Sequence, residues 1–292
     1  MIIEERGPMK HSSISTRKSL YQLGLFALFL LCGFLVFVLG LYYPVGFPKN
    51  LRLVYKIALS ASFLAAVPLV HRSKHLRQYR QVFLAFFIAS TALVFDHYHD
   101  ELGSLVLGGE ETGALWYTIV VVFSTSVIVI TIVALTKISG GSMASIYLKK
   151  GNLRLGLIIG ISTFLAMSIL GILWAQSQNI GMDRITPIIP YVLVFGLTNG
   201  LREELLLRGL FLRKHEALLG PTLSIVLTAL IFTAAHLGVT YETGNLVVFF
   251  SGVFVIGLIS AFLMRKLDSL LAPVLFHAGC DVILFTALFA AS

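Results

Sequence analysis

The chain has 292 residues, of which 57% are hydrophobic and only 12% are charged. Soluble globular domains carry about twice that share of charged residues, so the composition excludes an ordinary soluble domain and predicts a membrane protein. The net charge of +8 does not indicate nucleic-acid binding, because the basic residues are spread between apolar runs rather than gathered in one patch. Basic loops that contact anionic lipid on the cytoplasmic side explain this charge more simply.

Nine apolar runs follow a polar segment at residues 1–19, which we interpret as a cytoplasmic tail before an uncleaved first span. The runs cover Tyr21–Val45, Val54–Val70, Val82–Val94, Leu115–Leu135, Leu155–Ala175, Ile188–Leu212, Leu223–Leu237, Leu246–Met264 and Leu270–Ala290. A membrane-spanning helix needs about 20 apolar residues, whereas the strands of a membrane barrel alternate over about 10 residues. The sequence therefore predicts an all-α polytopic transmembrane helix bundle with about eight or nine membrane spans.

The loops between the runs differ in charge and predict an orientation. Basic residues occur in alternate loops, at Arg72, Lys74, Arg77, Arg80, Lys137, Lys149, Lys150, Arg154, Arg213, Lys214, Arg265 and Lys266. The loops at residues 96–113 and 241–244 contain neither Lys nor Arg. The positive-inside rule then predicts a multi-pass protein, in the plasma membrane, with its N-terminus in the cytoplasm and its C-terminus outside. Lys49, Arg52 and Lys56 disagree with this arrangement, because they would face the outside. Either that loop is tolerated or one early run does not span the membrane.

A polar cluster follows the third run, with the sequence Asp96-His97-Tyr98-His99-Asp100-Glu101. Imidazoles and carboxylates at this density are also typical of a metal site. Because these residues, the 96–101 cluster, fall in a loop predicted to lie outside, we interpret the cluster as a solvated acidic loop.

The sixth, seventh and ninth runs differ from the others because they contain ionisable residues. A charged side chain is costly inside a bilayer, so such residues are candidate functional groups. In the sixth run, Glu204 and Arg208 are four residues apart, share a helix face and can form an ion pair. Glu203 points about 100° away around the helix, where it is free to act as a general base. The alternative is a cytoplasmic helix end whose charges lie among the lipid headgroups.

Two histidines accompany these carboxylates in the later runs. His236 follows Phe232 by four residues in the seventh run, and His277 precedes Asp281 by four residues in the ninth. Each histidine alone can be a hydrogen-bonding partner between packed helices. Counting about 1.5 Å per residue from the predicted cytoplasmic helix ends puts Glu203, His236 and His277 at depths of about 16, 22 and 13 Å. Side chains at such depths can meet, and together they can activate water and stabilise an oxyanion.

Three motifs occur in order on these helices: Glu203-Glu204-x-x-x-Arg208, Phe232-x-x-x-His236 and His277-x-x-x-Asp281. In this order and spacing they resemble the motifs of the CAAX protease and bacteriocin-processing family, which includes the type II CAAX prenyl endopeptidases. The resemblance covers about residues 188–290. It implies a glutamate-dependent intramembrane endopeptidase that acts on a peptide or a membrane-anchored protein.

The resemblance also implies roles for the six residues. Glu203 and His236 are expected to activate the hydrolytic water, and Glu204 and Arg208 are expected to hold the site together. His277 and Asp281 are expected to stabilise the oxyanion. Family members often have Asn at the last position, and an ionised Asp cannot donate a hydrogen bond. Asp281 is therefore expected either to be protonated or to orient His277.

Several alternatives bear on this prediction. His236, His277 and a glutamate could form a three-ligand zinc site, but no His-Glu-x-x-His motif is present, so no cofactor is predicted. A proton-coupled transporter would also bury Glu, His and Asp, although the chain lacks two similar halves. A non-catalytic immunity or scaffold protein would not need the complete set of residues. We divide the chain into N-terminal transmembrane helices at residues 20–187 and a catalytic core at residues 188–292.

Overall fold

The computed structural model describes residues 11–42, 48–107, 113–238 and 246–291, and these residues are largely helical with no β-strand among them. The α-helices in these ranges are α1 His11–Gly33, α2 Lys49–Arg72, α3 Arg80–Phe95, α4 His99–Val106, α5 Gly113–Ile138, α6 Leu153–Ser177, α7 Met182–Glu203, α8 Leu212–Leu219, α9 Pro221–Ala235, α10 Leu246–Leu267 and α11 Leu271–Ala291. The all-α fold predicted from the sequence is confirmed.

Seven helical segments within the described ranges are long and apolar enough to cross a membrane. They are Ser19–Leu41, Lys49–Arg72, Arg77–Val106, Gly113–Ile138, Leu153–Ser177, Leu246–Leu267 and Leu271–Ala290. The chain is therefore a multi-pass membrane protein. The other two predicted runs are helical as well, but α9 has only 15 residues, and α7 carries charged residues at both ends.

The helical segment after α2 is longer than the sequence predicts. The predicted third span ends at Val94, whereas the helical segment in the structure continues from Arg77 to Val106. The 96–101 cluster is thus helical, and Asp96 is only 1% exposed. The prediction of a solvated acidic loop is wrong here, because Asp96 lines a cavity together with basic residues of α2, which balance its charge.

Close packing of α7 against α11 positions the ionisable residues of these two helices. A Cβ atom would lie 2.9 Å from the Ala278 carbonyl oxygen if added at Gly196, and 3.0 Å from the Val274 carbonyl oxygen if added at Gly200. Small residues of this kind allow the backbones of membrane helices to approach closely. The turn of α7 that follows carries Glu203, so the close approach brings this carboxylate next to α11.

The N-terminal helices pack around α8 and α9 in the largest hydrophobic core of the described residues. His215 of α8 is fully buried in this core and stacks on the rings of Phe29 and Phe211. Burial lowers the pKa of His215 to about 3, so the ring is neutral and packs as an aromatic group. This core joins residues on both sides of position 187, while the division of the chain at that position stays a prediction.

Candidate active site

Glu203 and Glu204 lie where the α-helical geometry of α7 changes into a π-helical turn, Glu204–Gly209. Both carboxylates are buried, with exposed fractions of 7% and 0%. Short π-helical turns within helices are rare and are frequent at functional sites. Because adjacent helical residues point about 100° apart, the two carboxylates can approach one imidazole from different sides.

That imidazole belongs to His277 of α11. Its Nδ1 lies 2.8 Å from Glu204 Oε1, and its Nε2 lies 3.7 Å from both Glu203 Oε2 and Asp281 Oδ1. A carboxylate only accepts hydrogen bonds, so Nδ1 carries a proton and donates it to Glu204. A distance of 3.7 Å is too long for a hydrogen bond. Glu204, rather than Asp281, therefore orients the His277 ring.

Arg208 pairs with Glu204 as the sequence predicts. Its guanidinium donates to Glu204 Oε1 at 2.5 Å, and both side chains are completely buried. The guanidinium also lies over the Phe232 ring, 4.2 Å from its centre, and Phe232 contacts the His277 ring in an edge-on arrangement. Phe232, the phenylalanine of the second motif, thus packs against both the Arg208 guanidinium and the His277 ring.

His236 lies at the C-terminal end of α9 and faces the same carboxylate. Its Nδ1 lies 2.8 Å from the Phe232 carbonyl oxygen, which can only accept, so Nδ1 carries the proton. The opposite nitrogen, Nε2, lies 3.9 Å from Glu203 Oε2. Glu203 Oε2 is buried and has no hydrogen-bond partner among the described residues. One free carboxylate oxygen thus faces the Nε2 atoms of His236 and His277.

A second polar network, which was not predicted from the sequence, holds Asp281 from the side of α5 and α7. Asn199 donates to Asp281 Oδ2 at 2.9 Å, and Arg202 donates to Asn199 Oδ1 at 2.5 Å. Arg202 also donates to Ser124 Oγ of α5 at 3.0 Å. Asn199 precedes Glu203 by four residues in an otherwise apolar run, and this spacing was the signal available in the sequence. Ser124 carried no comparable signal.

A cavity of about 290 Å³ contains these groups. Its polar wall holds Glu203, His236, His277 and Asp281, and its apolar wall comes largely from α10 and from phenylalanines. The volume is near the lower end of the range for small-molecule pockets, about 300–1,000 Å³. Within the described ranges, no three His, Cys, Asp or Glu side chains form a cluster suited to a metal ion.

The structure thus brings all six sequence-predicted residues together. Glu203, His236, His277 and Asp281 line the cavity, while Glu204 and Arg208 lie behind His277. Their roles in catalysis stay predictions. The arrangement can hold a water molecule between a carboxylate and two imidazoles, beside an apolar surface that suits a hydrophobic side chain.

The segment that carries these residues also matches a known protein family. Residues 185–283 match the family model of the type II CAAX prenyl endopeptidase Rce1-like proteins. Searches of curated proteins and of solved structures gave no match. The matched segment begins in α7 and ends in α11, so it includes all three motifs and all six predicted site residues. At residues 185–283, this multi-pass membrane protein carries a domain of the CAAX protease and bacteriocin-processing family.

Proposed function

We propose that this domain hydrolyses a peptide bond with a water molecule activated by Glu203 and His236. The observation that carries the proposal is the Glu203 Oε2 atom, which is buried without a hydrogen-bond partner and faces two imidazole nitrogens at 3.7 and 3.9 Å. These distances are too long for direct hydrogen bonds, but a single water molecule can donate one proton to Glu203 and the other to neutral His236. Its lone pair is then free to attack a carbonyl carbon.

In the first step, the water oxygen bonds to the carbonyl carbon and its proton moves to Glu203. The carbonyl oxygen becomes an oxyanion, which His277 can stabilise by donating from Nε2. That donation requires the doubly protonated ring, because Nδ1 already donates to Glu204. Collapse of the intermediate breaks the bond between carbon and nitrogen, and Glu203 passes its proton to the leaving amine. The products are a free carboxylate and a free amine.

The substrate class follows from where the cavity lies in the bundle. We infer a peptide segment of a membrane-tethered protein, because the cavity combines a polar wall with an apolar wall and is lined in part by α10 and α11, which are long and apolar enough to cross a membrane. The basic loops support an orientation with the N-terminus in the cytoplasm and the C-terminus outside. In that orientation the tethered substrate is cut nearer the cytoplasmic leaflet, in the plasma membrane.

The experiment that tests the proposal incubates the full-length protein, reconstituted in liposomes, with lipid-anchored peptides and detects new termini by mass spectrometry. We expect one defined cleavage site, with a new carboxylate on the anchored fragment. Absence of cleavage over a broad peptide panel, together with solute uptake into the same liposomes, would favour a transporter instead.

Asp281 provides a further prediction. Asp281→Asn is expected to keep activity within about tenfold, because the amide oxygen can still accept from Asn199 and the amide nitrogen can donate into the cavity. Asp281→Ala is expected to lose about 10²-fold in kcat, the usual cost of removing an oxyanion partner. Cleavage rates of the two variants measure the difference. Equal rates for the Ala variant and the unaltered protein would remove Asp281 from the site.

Metal independence is also testable. We expect EDTA and 1,10-phenanthroline to leave the cleavage rate largely unchanged, because Glu203 and His236 can supply the base without a metal ion. A zinc-dependent peptidase assayed in parallel serves as the control for chelation. Loss of activity that added Zn²⁺ restores would overturn the metal-free mechanism.

A further inference from the structure

The Arg202 guanidinium is joined to both carboxylates that converge on His277. Glu203 Oε2 and Asp281 Oδ1 each lie 3.7 Å from His277 Nε2. Two negative charges directed at one imidazole repel each other, and the repulsion is strong where water is scarce. Arg202 contacts Glu203 Oε1 directly at 3.4 Å and reaches Asp281 through Asn199. One positive charge therefore offsets this repulsion.

The contact with Arg202 makes the two oxygens of Glu203 unequal. Oε1 faces the guanidinium, whereas Oε2 is buried and accepts no hydrogen bond from a described residue. Oε2 is also the oxygen that faces the Nε2 atoms of His236 and His277. Without the guanidinium the carboxylate could rotate about its last bond, because this torsion of glutamate has only a broad preference. Arg202 thus fixes which oxygen faces the space for water.

The same guanidinium decides the orientation of the Asn199 amide. An arginine only donates, so the Asn199 atom that it contacts at 2.5 Å must be the amide oxygen. The amide nitrogen is then left to donate to Asp281 Oδ2 at 2.9 Å. With Oδ2 held in this way, Oδ1 is the oxygen that faces His277. Arg202 therefore acts on Asp281 through one intervening side chain.

The guanidinium is itself anchored on α5. Its Nη1 donates to the fully buried Ser124 hydroxyl at 3.0 Å, while its Nη2 contacts Asn199 and Glu203. This division uses the planar fork of arginine, which the single ammonium group of lysine cannot reproduce. Ser124 lies outside residues 185–283, so the N-terminal helices contribute a contact to the site.

We propose that Arg202 is a positioning residue of the peptidase site. It holds Glu203 by Oε1, so that Oε2 takes the proton from water, and it holds Asn199 so that Asp281 faces His277. The inference rests on the proposed function, because the effect of Arg202 is exerted on the hydrolytic step. Arg202 is therefore expected to change the rate at which bound substrate reacts, rather than the binding of the substrate.

Arg202→Met tests this role in the full-length protein in liposomes. We expect kcat for a lipid-anchored peptide to fall about 10²-fold, the usual cost of a misplaced reacting group, while KM changes less than about threefold. Arg202→Lys keeps the charge without the fork, so its kcat is expected to fall between those of Arg202→Met and the unaltered protein. An unchanged kcat in Arg202→Met, or a rise in KM alone, would overturn the inference.

An exchange of side chains separates positioning from general packing. Asn199→Asp places a second carboxylate against Asp281 and is expected to lower kcat about 10²-fold. Adding Asp281→Asn returns an amide to this contact, and Arg202 can then pair directly with the new carboxylate. We expect kcat to recover to within about tenfold of the value for Asp281→Asn alone. This recovery is expected to fail when Arg202→Met is also present, and recovery that persists without Arg202 would overturn the inference.

Arg184→Met is the matched control, because Arg184 is exposed on the same helix about five turns from Arg202. This control is expected to keep its kcat and KM. An equal loss of kcat in the control and in Arg202→Met would overturn the inference, since removal of any positive charge from α7 would then have the same effect.

Unfolding temperatures in detergent test the contacts of Arg202 apart from cleavage. We expect Asn199→Asp to lower the unfolding temperature, and Asp281→Asn to restore it only where Arg202 is present. This pattern without cleavage of any peptide would defeat the proposed function and leave the Arg202 contacts established. Cleavage at an unchanged kcat in Arg202→Met would defeat this inference and leave the proposed function intact.

Discussion

Glu203→Gln is expected to abolish measurable hydrolysis while the protein still folds and inserts into the membrane. Glutamine has nearly the same shape as glutamate, but its amide cannot take a proton from water. Loss of a general base lowers rates by about 10²–10⁴-fold. The change also leaves the Glu204–Arg208 pair and the contact of Glu204 with His277 untouched, so the loss is expected in kcat. The measurement is the cleavage rate of a lipid-anchored peptide by the reconstituted full-length protein.

Glu216→Gln is the matched control for this variant. Glu216 pairs with Arg265 at 2.9 Å on a partly exposed surface, so the same chemical change there removes a carboxylate outside the active-site cavity. We expect this control to keep its cleavage rate and its unfolding temperature. If the Glu203 variant cleaved the peptide at the unaltered rate, Glu203 could not be the base, and the proposed mechanism would have to be abandoned.

The helices of this protein were predictable from the sequence because a bilayer demands long apolar segments with internally satisfied backbone hydrogen bonds. Within the described residues all nine apolar runs are largely helical, with ends that differ from the predicted ones by several residues. The third run differs most, since its helical segment continues through Asp96 to Val106. Charged residues normally mark the end of a span. Asp96 is nevertheless buried inside the bundle, because Lys49, Arg52 and Lys56 of α2 line the same cavity.

The candidate site was predictable in part, for a similar reason. Glu203, His236 and His277 were identifiable because ionisable residues are rare in membrane helices. The contribution of Glu204 to orienting His277 was not predictable, because it depends on the close approach of α7 to α11 at Gly196. Contacts between distant helices of this kind leave no periodic pattern in one sequence.

The network around Asn199 illustrates the same limit. Its hydrogen bonds join α5, α7 and α11, and the Ser124 hydroxyl takes part only because α5 packs against α7. Serine is common in membrane helices, where it usually bonds to the backbone of its own helix. Nothing in its position therefore separates Ser124 from the other hydroxyl residues of α5. Arg202 is a charged residue within an apolar run, but the sequence predicted no role for it.

Arg208→Leu is expected to cause the largest loss of stability of any variant considered. Arg208 and Glu204 are both completely buried and pair at 2.5 Å, so removal of the guanidinium leaves an uncompensated carboxylate in the core. Breaking a buried ion pair in this way costs about 3–5 kcal/mol in the free energy of unfolding. Glu204 would also lose the contact that fixes it against His277, so we expect cleavage activity to fall as well. Thermal and denaturant unfolding in detergent measure the first effect.

Two further variants separate a lost charge from a lost side chain. Glu204→Gln combined with Arg208→Leu is expected to recover part of the lost stability, because the uncompensated charge is gone, but not the activity, because the carboxylate that orients His277 is gone too. Arg265→Leu breaks a partly exposed pair with Glu216 and is expected to cost less than about 1 kcal/mol. If Arg208→Leu cost no more than Arg265→Leu, the buried pair would not hold the site together. Glu204 would then need another source of support for its contact with His277.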